Sequence, residues 1–383
     1  MSEARKEQKK SRYHPRSVPI PAVFGAAIIL AFGAYIAFWS QFLSITYTRA
    51  DEGSSSAPQY ARIDPTAYNL KELALAHINP SLTTFLEPQN ASSTLLVATT
   101  TASTSVTIAG RAWPTPSPYP SPGALLPAHR IVAYYGNFYS TAMGVLGEYP
   151  PDQVLAMLAS TSAMWEAADP STPVIPAIDY IAVTAQGSAG ADGMYRARMP
   201  ASQIEQAIGM ANQIHGIVIL DVQVGLSTLQ QELPLLAPYL SQPNVNLAID
   251  PEFSMKDGTP PGREIGTYSA ADINYAAQFL ASLVAQNKLP PKILIVHRFT
   301  EDMVTNYQQI KPLPTVQIVM DMDGWGDQAK KINTYQRVIA AEPVEFTGFK
   351  LFYKADLKPP STGLLSTAQV LSLTPAPVFI QYQ

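Results

Sequence analysis

Apolar residues along this chain fall into two kinds of run. One kind is short and continuous, at 130–136, 173–183, 216–225, 244–253, 292–299, 316–323, 346–354 and 378–382. The other recurs every three or four positions, at 151–168, 200–214, 228–240, 270–287, 327–340 and 365–373, with a weaker copy at 300–309. Continuous runs of strand length predict strands buried on both faces, and the three-to-four spacing predicts amphipathic helices. Their alternation predicts βα units around a parallel sheet. Eight strands within residues 128–383 match the count and length of a (β/α)8 TIM-type barrel. A doubly wound open sheet is the alternative. It is disfavoured because Tyr135-Gly136-Asn137-Phe138-Tyr139, after the first strand, is no Gly-rich phosphate loop. The sequence stops directly after the eighth strand, so this α/β barrel lacks a final helix, and the segment around 65–78 is expected to cover that strand's outer face.

The first part of the chain follows another pattern. No charged residue occurs from Ser17 to Thr48, a stretch centred on an apolar run at 23–39. About 20 apolar residues cross a bilayer as a helix. Arg5, Lys6, Lys9, Lys10, Arg12 and Arg16 precede the run, which predicts a cytoplasmic N-terminus. A cleaved signal peptide is the alternative, but the run is longer than its usual apolar core and no A-x-A site follows. The expected organisation is a basic tail at 1–17, a transmembrane signal-anchor helix at 18–47, a disordered Ser/Thr/Pro-rich linker at 48–127, and an extracytoplasmic barrel at 128–383. Within the linker, Asp64 followed by Pro65 reads as the start of a helix, either transient or docked on the barrel.

Composition narrows the chemistry. The chain has 383 residues, of which 14% are charged, with a net charge of −4, so it is no general nucleic-acid binder. It has no cysteine, which excludes disulfides, thiolate metal sites and cysteine nucleophiles. None of the five histidines forms an H-x-H or H-E-x-x-H pair.

In parallel barrels reactive groups sit at the carboxyl ends of strands. Here those ends carry Tyr134, Tyr135, Asp179, Asp221, Gln223, Asp250, Glu252, His297, Arg298, Asp321, Asp323, Trp325, Lys350 and Tyr382. Residues two apart on a strand share a face, so Asp250 with Glu252, Asp321 with Asp323, and Asp221 with Gln223 are pairs that could face the mouth. Carboxyl groups crowded together raise one another's pKa, one route to a general acid at neutral pH. The same acids could instead cap turns or pair with Arg298 and Lys350. The aromatic residues suit stacking on sugar rings, Trp325 most of all because it stands between two glycines.

The segment Leu247-Ala248-Ile249-Asp250-Pro251-Glu252-Phe253 resembles the acid-bearing strand of (β/α)8-barrel glycoside hydrolases, and the layout of 128–383 is similar to exported bacterial barrels of that type. One group of those enzymes carries D-x-E at the end of strand 4. The resemblance implies Glu252 as acid and Asp250 as its partner, which would assist an acetamido group of the substrate. Two departures stand out. The acidic run that precedes that motif is absent, and the strand 7 that bears a nucleophilic Glu in another group has lysines here. Asp221 or Asp321 would then supply the second carboxylate. Three functions follow. The first is a hydrolase acting on cell-envelope polysaccharide, with Glu252, Asp250, Asp221 and Asp321 catalytic and no cofactor. The second is a hydrolase using a divalent metal ion held by Asp221, Asp250 or Glu252, His297 and Asp321. The third is a glycan-binding or scaffold protein without catalysis.

Overall fold

The computed structural model describes residues 60–80 and 112–383. The basic tail, the expected transmembrane helix and part of the expected linker lie outside the described residues. Within them, no helix is long and apolar enough to cross a membrane.

Eight parallel strands close into a ring, as the apolar runs predict. In chain order they are β1 (Arg130–Gly136), β2 (Val174–Ala185), β4 (Ile217–Val222), β5 (Val245–Ile249), β7 (Lys292–Arg298), β9 (Val316–Met322), β10 (Phe346–Leu351) and β11 (Phe379–Tyr382). Each pairs with its sequence neighbour, and β1 pairs with both β2 and β11. A short β3 (Arg196–Arg198) lies antiparallel on the end of β2, and β6 (Tyr268–Ser269) pairs with β8 (Val304–Thr305) in a separate ribbon.

The period of two sorts side chains into an inner and an outer set. Ile131, Ala177, Ile219, Ala248, Ile295 and Phe379 fill the lower interior, while Val132, Ile178, Leu220, Leu247, Val296 and Ile380 pack outward against the helices. Burying each Val, Leu, Ile or Phe among them is worth roughly 1.5–3 kcal/mol, so a register slip on any strand would cost many such contacts. Helices Pro151–Ala168 and Ala270–Asn287 begin and end where the three-to-four spacing places them. The weak pattern at 300–309 is not a helix. It resolves into two 3-10 turns, Glu301–Met303 and Tyr307–Gln309, separated by β8 and by Asn306, whose φ of 58° interrupts any helix.

Two expectations for the region before the barrel need correction. First, residues 60–80 and 112–127 pack on the barrel, in line with the docked reading of the helix after Asp64 and not with a disordered linker over those residues. Asp64 caps helix Pro65–Leu75 by accepting from Thr66 N–H at 2.9 Å. Second, that helix lies beneath the ring instead of against the last strand. Tyr68 joins the inner cluster with Leu126, Phe346 and Phe379, and Leu73 packs with Trp113. Asn69 and the Tyr119 hydroxyl hydrogen-bond at 2.9 Å, which ties the two segments together across the floor. The outer face of β11 is covered by Trp165 of helix Pro151–Ala168, whose indole N–H donates to the Tyr382 hydroxyl at 3.0 Å.

Tyr68 therefore plugs the floor of the barrel. Tyr68→Ala is expected to lower stability by about 3 kcal/mol, the lower end for aromatic-to-alanine changes in a core. Urea denaturation measures it; a change under about 0.5 kcal/mol would mean that the helix is not seated.

Candidate active site at the carboxyl end of the barrel

The inner phase of each strand turns from apolar to polar near its carboxyl end. Ala177 gives way to Asp179, Ile219 to Asp221, Ala248 to Asp250, Ile295 to His297, Val319 to Asp321, and Phe379 to Gln381. Gly348 on β10 makes room for this layer, since a Cβ there would stand 2.5 Å from the Asp321 Oδ1. All of these polar groups are buried, with His297, Asp221, Asp321 and Asp179 at 0% exposure.

His297 is the hub. Its Nδ1 lies 3.2 Å from Asp321 Oδ2 and 3.5 Å from Asp323 Oδ2, and its Nε2 lies 3.4 Å from Asp221 Oδ2. The Asp221 oxygen attracts the imidazolium but is off the line of a hydrogen bond. Burial opposes the charged imidazole, yet the neighbouring aspartates outweigh it and hold the His297 pKa well above its ordinary value. Lys350 is the second cation. Its Nζ pairs with Asp323 Oδ1 at 3.0 Å and stands 3.8 Å from the centre of the Tyr135 ring. Burial works against this ammonium too, and the charges of Asp323 and Asp321 overcome it.

The remaining acids are held differently. Gln381 donates to Asp179, and Gln223 donates both to the Tyr135 hydroxyl at 3.2 Å and to Asp250 Oδ2 at 3.4 Å. Asp250 Oδ1 accepts from Glu252 N–H at 3.0 Å and so fixes the 3-10 turn Pro251–Phe253 that carries Glu252. Burial, then the charge of Asp221, pushes the Asp179 carboxyl up to about 8. Burial raises Asp250 well above the usual carboxylate range against the pull of His297, and Asp321 is also raised by burial. Glu252 is only partly buried; burial and then the charge of Asp323 push it up to about 7.

These raised carboxyls have one consequence for stability. Unfolded, Asp179 and Glu252 lose their protons near pH 4; folded, they keep them to about 8 and about 7. The folded state thus binds more protons between those limits, so stability falls as pH rises from about 4 to about 8. Asp179→Asn removes one such group while leaving Gln381 an acceptor. The variant should gain on the order of 1–3 kcal/mol at pH 8 and little at pH 4, read from denaturant melts at both pH values. An unchanged pH slope would count against a protonated Asp179.

The structure sorts the residues singled out by sequence. Asp179, Asp221, Gln223, Asp250, His297, Asp321, Asp323, Lys350 and Tyr135 share one interior cluster, with Glu252 at its rim. Tyr134, Arg298 and Tyr382, expected among the substrate-binding residues, do not join it. Each is on the outer phase. The Tyr134 hydroxyl bonds Thr161 at 2.7 Å, Tyr382 stacks on Tyr353, and Arg298 holds the carbonyls of Thr300 and Glu301 and pairs with Glu342. Trp325 is exposed beyond β9, with Lys330 and Lys358 Nζ 4.9 and 5.4 Å from its ring centre. Sequence reasoning missed Gln381, whose signal was its place two residues after the inward Phe379.

Among the described residues, no group of three or more His, Asp or Glu side chains is arranged to hold a metal ion. Of the proposed ligands, Asp221 and Asp321 instead flank the His297 imidazole, while Asp250 accepts from Gln223 and from the Glu252 N–H. One cavity lies at the floor beside Trp113 and Glu345 and another outside the ring beside Arg198 and Leu236. Neither touches the rim. The cluster beneath the rim is buried, so the group most open to a ligand there is the partly buried Glu252, followed by Asp323, whose side chain is 9% exposed.

No family model matches the sequence, and no curated protein matches it. Among solved structures, the chain is similar to Thermotoga maritima Cel5A, crystallised with cellobiose as a mutant form, at 8% identity and a TM-score of 0.37, over 67% of this chain and 88% of that one. It is also similar to a ruminal GH26 endo-beta-1,4-mannanase at 10% identity and a TM-score of 0.35, over 67% of this chain and 59% of that one.

Proposed function

We propose that this chain is a carbohydrate-acting hydrolase whose general acid is Glu252. The observation that carries the reading is the contrast between two carboxyl groups at one rim. Glu252 is pushed up to about 7, so it holds a proton near neutral pH, while Asp323 forms a salt bridge with Lys350 at 3.0 Å. A carboxyl that keeps its proton beside a second carboxyl held by a cation is an arrangement that acid-assisted glycoside cleavage uses. Glu252 would protonate the leaving glycosidic oxygen. The Asp323 carboxylate would face the positive charge that develops on the sugar ring as the C–O bond breaks; water would then add to that carbon and give its proton to the Glu252 carboxylate, restoring the acid. Asp250 would orient Glu252 through its turn, and Asp221 and Asp321 would act on His297 from below, out of reach of substrate. Trp325, exposed beside this rim, suits stacking on a neighbouring sugar.

The apolar run at 18–47 with its basic flank supports a membrane tether with the barrel outside, where cell-envelope polysaccharide would be the substrate. The decisive assay is turnover of a panel of envelope glycans by the full chain. kcat/KM is expected to fall above about pH 7 as Glu252 loses its proton. A profile rising through pH 7 to 9 would exclude Glu252 as the acid.

The complete burial of Asp221, Asp321 and His297 favours one second reading, a glycan-binding barrel whose interior charges serve stability alone. Glycan binding by the full chain without turnover, equal in wild type and Glu252→Gln, would support it.

A further inference from the structure

A second charged pair lies just outside the ring, behind the rim. Lys331 projects from helix Gln328–Thr334 and is 2% exposed; Asp356 is 1% exposed. The Lys331 Nζ meets Asp356 Oδ2 at 2.8 Å and donates to the carbonyls of Gly324 at 2.8 Å and Lys350 at 2.7 Å. That uses all three ammonium protons. Asp356 in turn accepts from Gly326 N–H at 3.0 Å and Phe352 N–H at 2.9 Å. The rings of Phe349 and Phe352 flank the ammonium at 5.2 and 5.0 Å.

The four main-chain groups are not scattered. Gly324 and Gly326 belong to the turn that follows Asp323, and Lys350 and Phe352 belong to the end of β10. One ion pair therefore grips the backbone on both sides of the Asp323–Lys350 salt bridge, within three residues of each member. Packing alone does not require it. A buried ion pair replaced by apolar side chains of similar volume is often no less stable. What apolar side chains cannot do is hold two carbonyls and two N–H groups in fixed directions. The same grip sets the turn that displays Trp325.

We infer that Lys331 and Asp356 are positioning residues that lock the Asp323–Lys350 pair, and the Trp325 turn, in register with Glu252. This rests on the hydrolase reading for its catalytic consequence, but its structural content does not.

The test compares wild type with the double variant Lys331→Met, Asp356→Leu and with the single variant Asp356→Asn. The double variant removes both charges together, so no buried charge is left alone to unfold the protein. Two readouts are taken. The first is the pH titration of the Glu252 and Asp323 carboxyl carbons by NMR, which needs no substrate. The second is the split between kcat and KM on the best glycan. The double variant should fold, and Asp356→Asn, which leaves the Lys331 ammonium facing a neutral amide, should fold with reduced stability; in both, the Glu252 titration should move down from about 7 towards the ordinary glutamate range as Asp323 drifts from its place. kcat should drop ten- to a hundredfold, the scale of an ångström-sized misplacement, with KM changed less than threefold. Folded variants with the wild-type titration and wild-type kcat would overturn the inference. If wild type turns over no glycan, the hydrolase reading fails by itself, and the titration alone decides the positioning role.

Discussion

Glu252→Gln is expected to lower kcat by a factor of about 10² to 10⁴, the usual worth of a general acid, and to leave KM within a few-fold. The substitution is nearly isosteric with the protonated side chain that the rim favours, since burial and the Asp323 charge keep the proton on up to about pH 7. The amide can still donate a hydrogen bond to a bound glycan but cannot release a proton to the departing oxygen. Binding should therefore survive and chemistry should not. Folding should be unharmed, because the backbone N–H of residue 252, which bonds Asp250, is kept. The measurement is steady-state turnover beside glycan affinity by calorimetry. A variant that keeps more than a tenth of wild-type kcat would remove Glu252 from the mechanism.

The second large effect falls on stability. His297→Ala leaves Asp221, Asp321 and Asp323 facing each other without the imidazolium between them, at 0% exposure for the first two. Removing one partner of a buried charge cluster typically costs about 3–5 kcal/mol. In a domain of this size that corresponds to a fall in Tm of roughly 10 °C. The sign of the pH response identifies the cause. Acid should partly restore the variant, because protonating the aspartates removes the repulsion that the histidine had offset. Guanidinium melts at pH 7 and pH 4.5 make the comparison. A loss that is equal at both would point to a packing void instead of uncompensated charge.

Much of this architecture could be read from residue order alone. The eight apolar runs became the eight strands of the ring because a strand buried on both faces has few sequences available to it. The inward acids were legible for a related reason: Asp179, Asp221, Asp250 and Asp321 interrupt apolar strands near their carboxyl ends. What could not be read was phase. Tyr134 and Tyr135, His297 and Arg298, and Gln381 and Tyr382 are adjacent pairs in which one member points in and the other out. A shift of one residue exchanges them, and composition does not fix it. Lys331 and Asp356 carry no local mark at all, since their partners are main-chain groups brought near only by the closed fold. The helix after Asp64 was legible, but its seat was not: nothing in its Pro- and Ser-rich surroundings marks Tyr68 and Leu73 as core residues of the floor.

The closure of the ring has a kinetic consequence. Ile131 pairs with Phe379, so the seam joins the first strand to the last one, across nearly the whole barrel sequence. Contacts so distant along the chain form late, because the entropy of closing the loop must be met before they return anything. Until residues 379–382 dock, β1 and β10 each present an unpaired edge, the kind of surface that recruits other chains. A nascent molecule would thus remain aggregation-exposed until the last strand of the ring emerged, and holding factors would matter most in that interval.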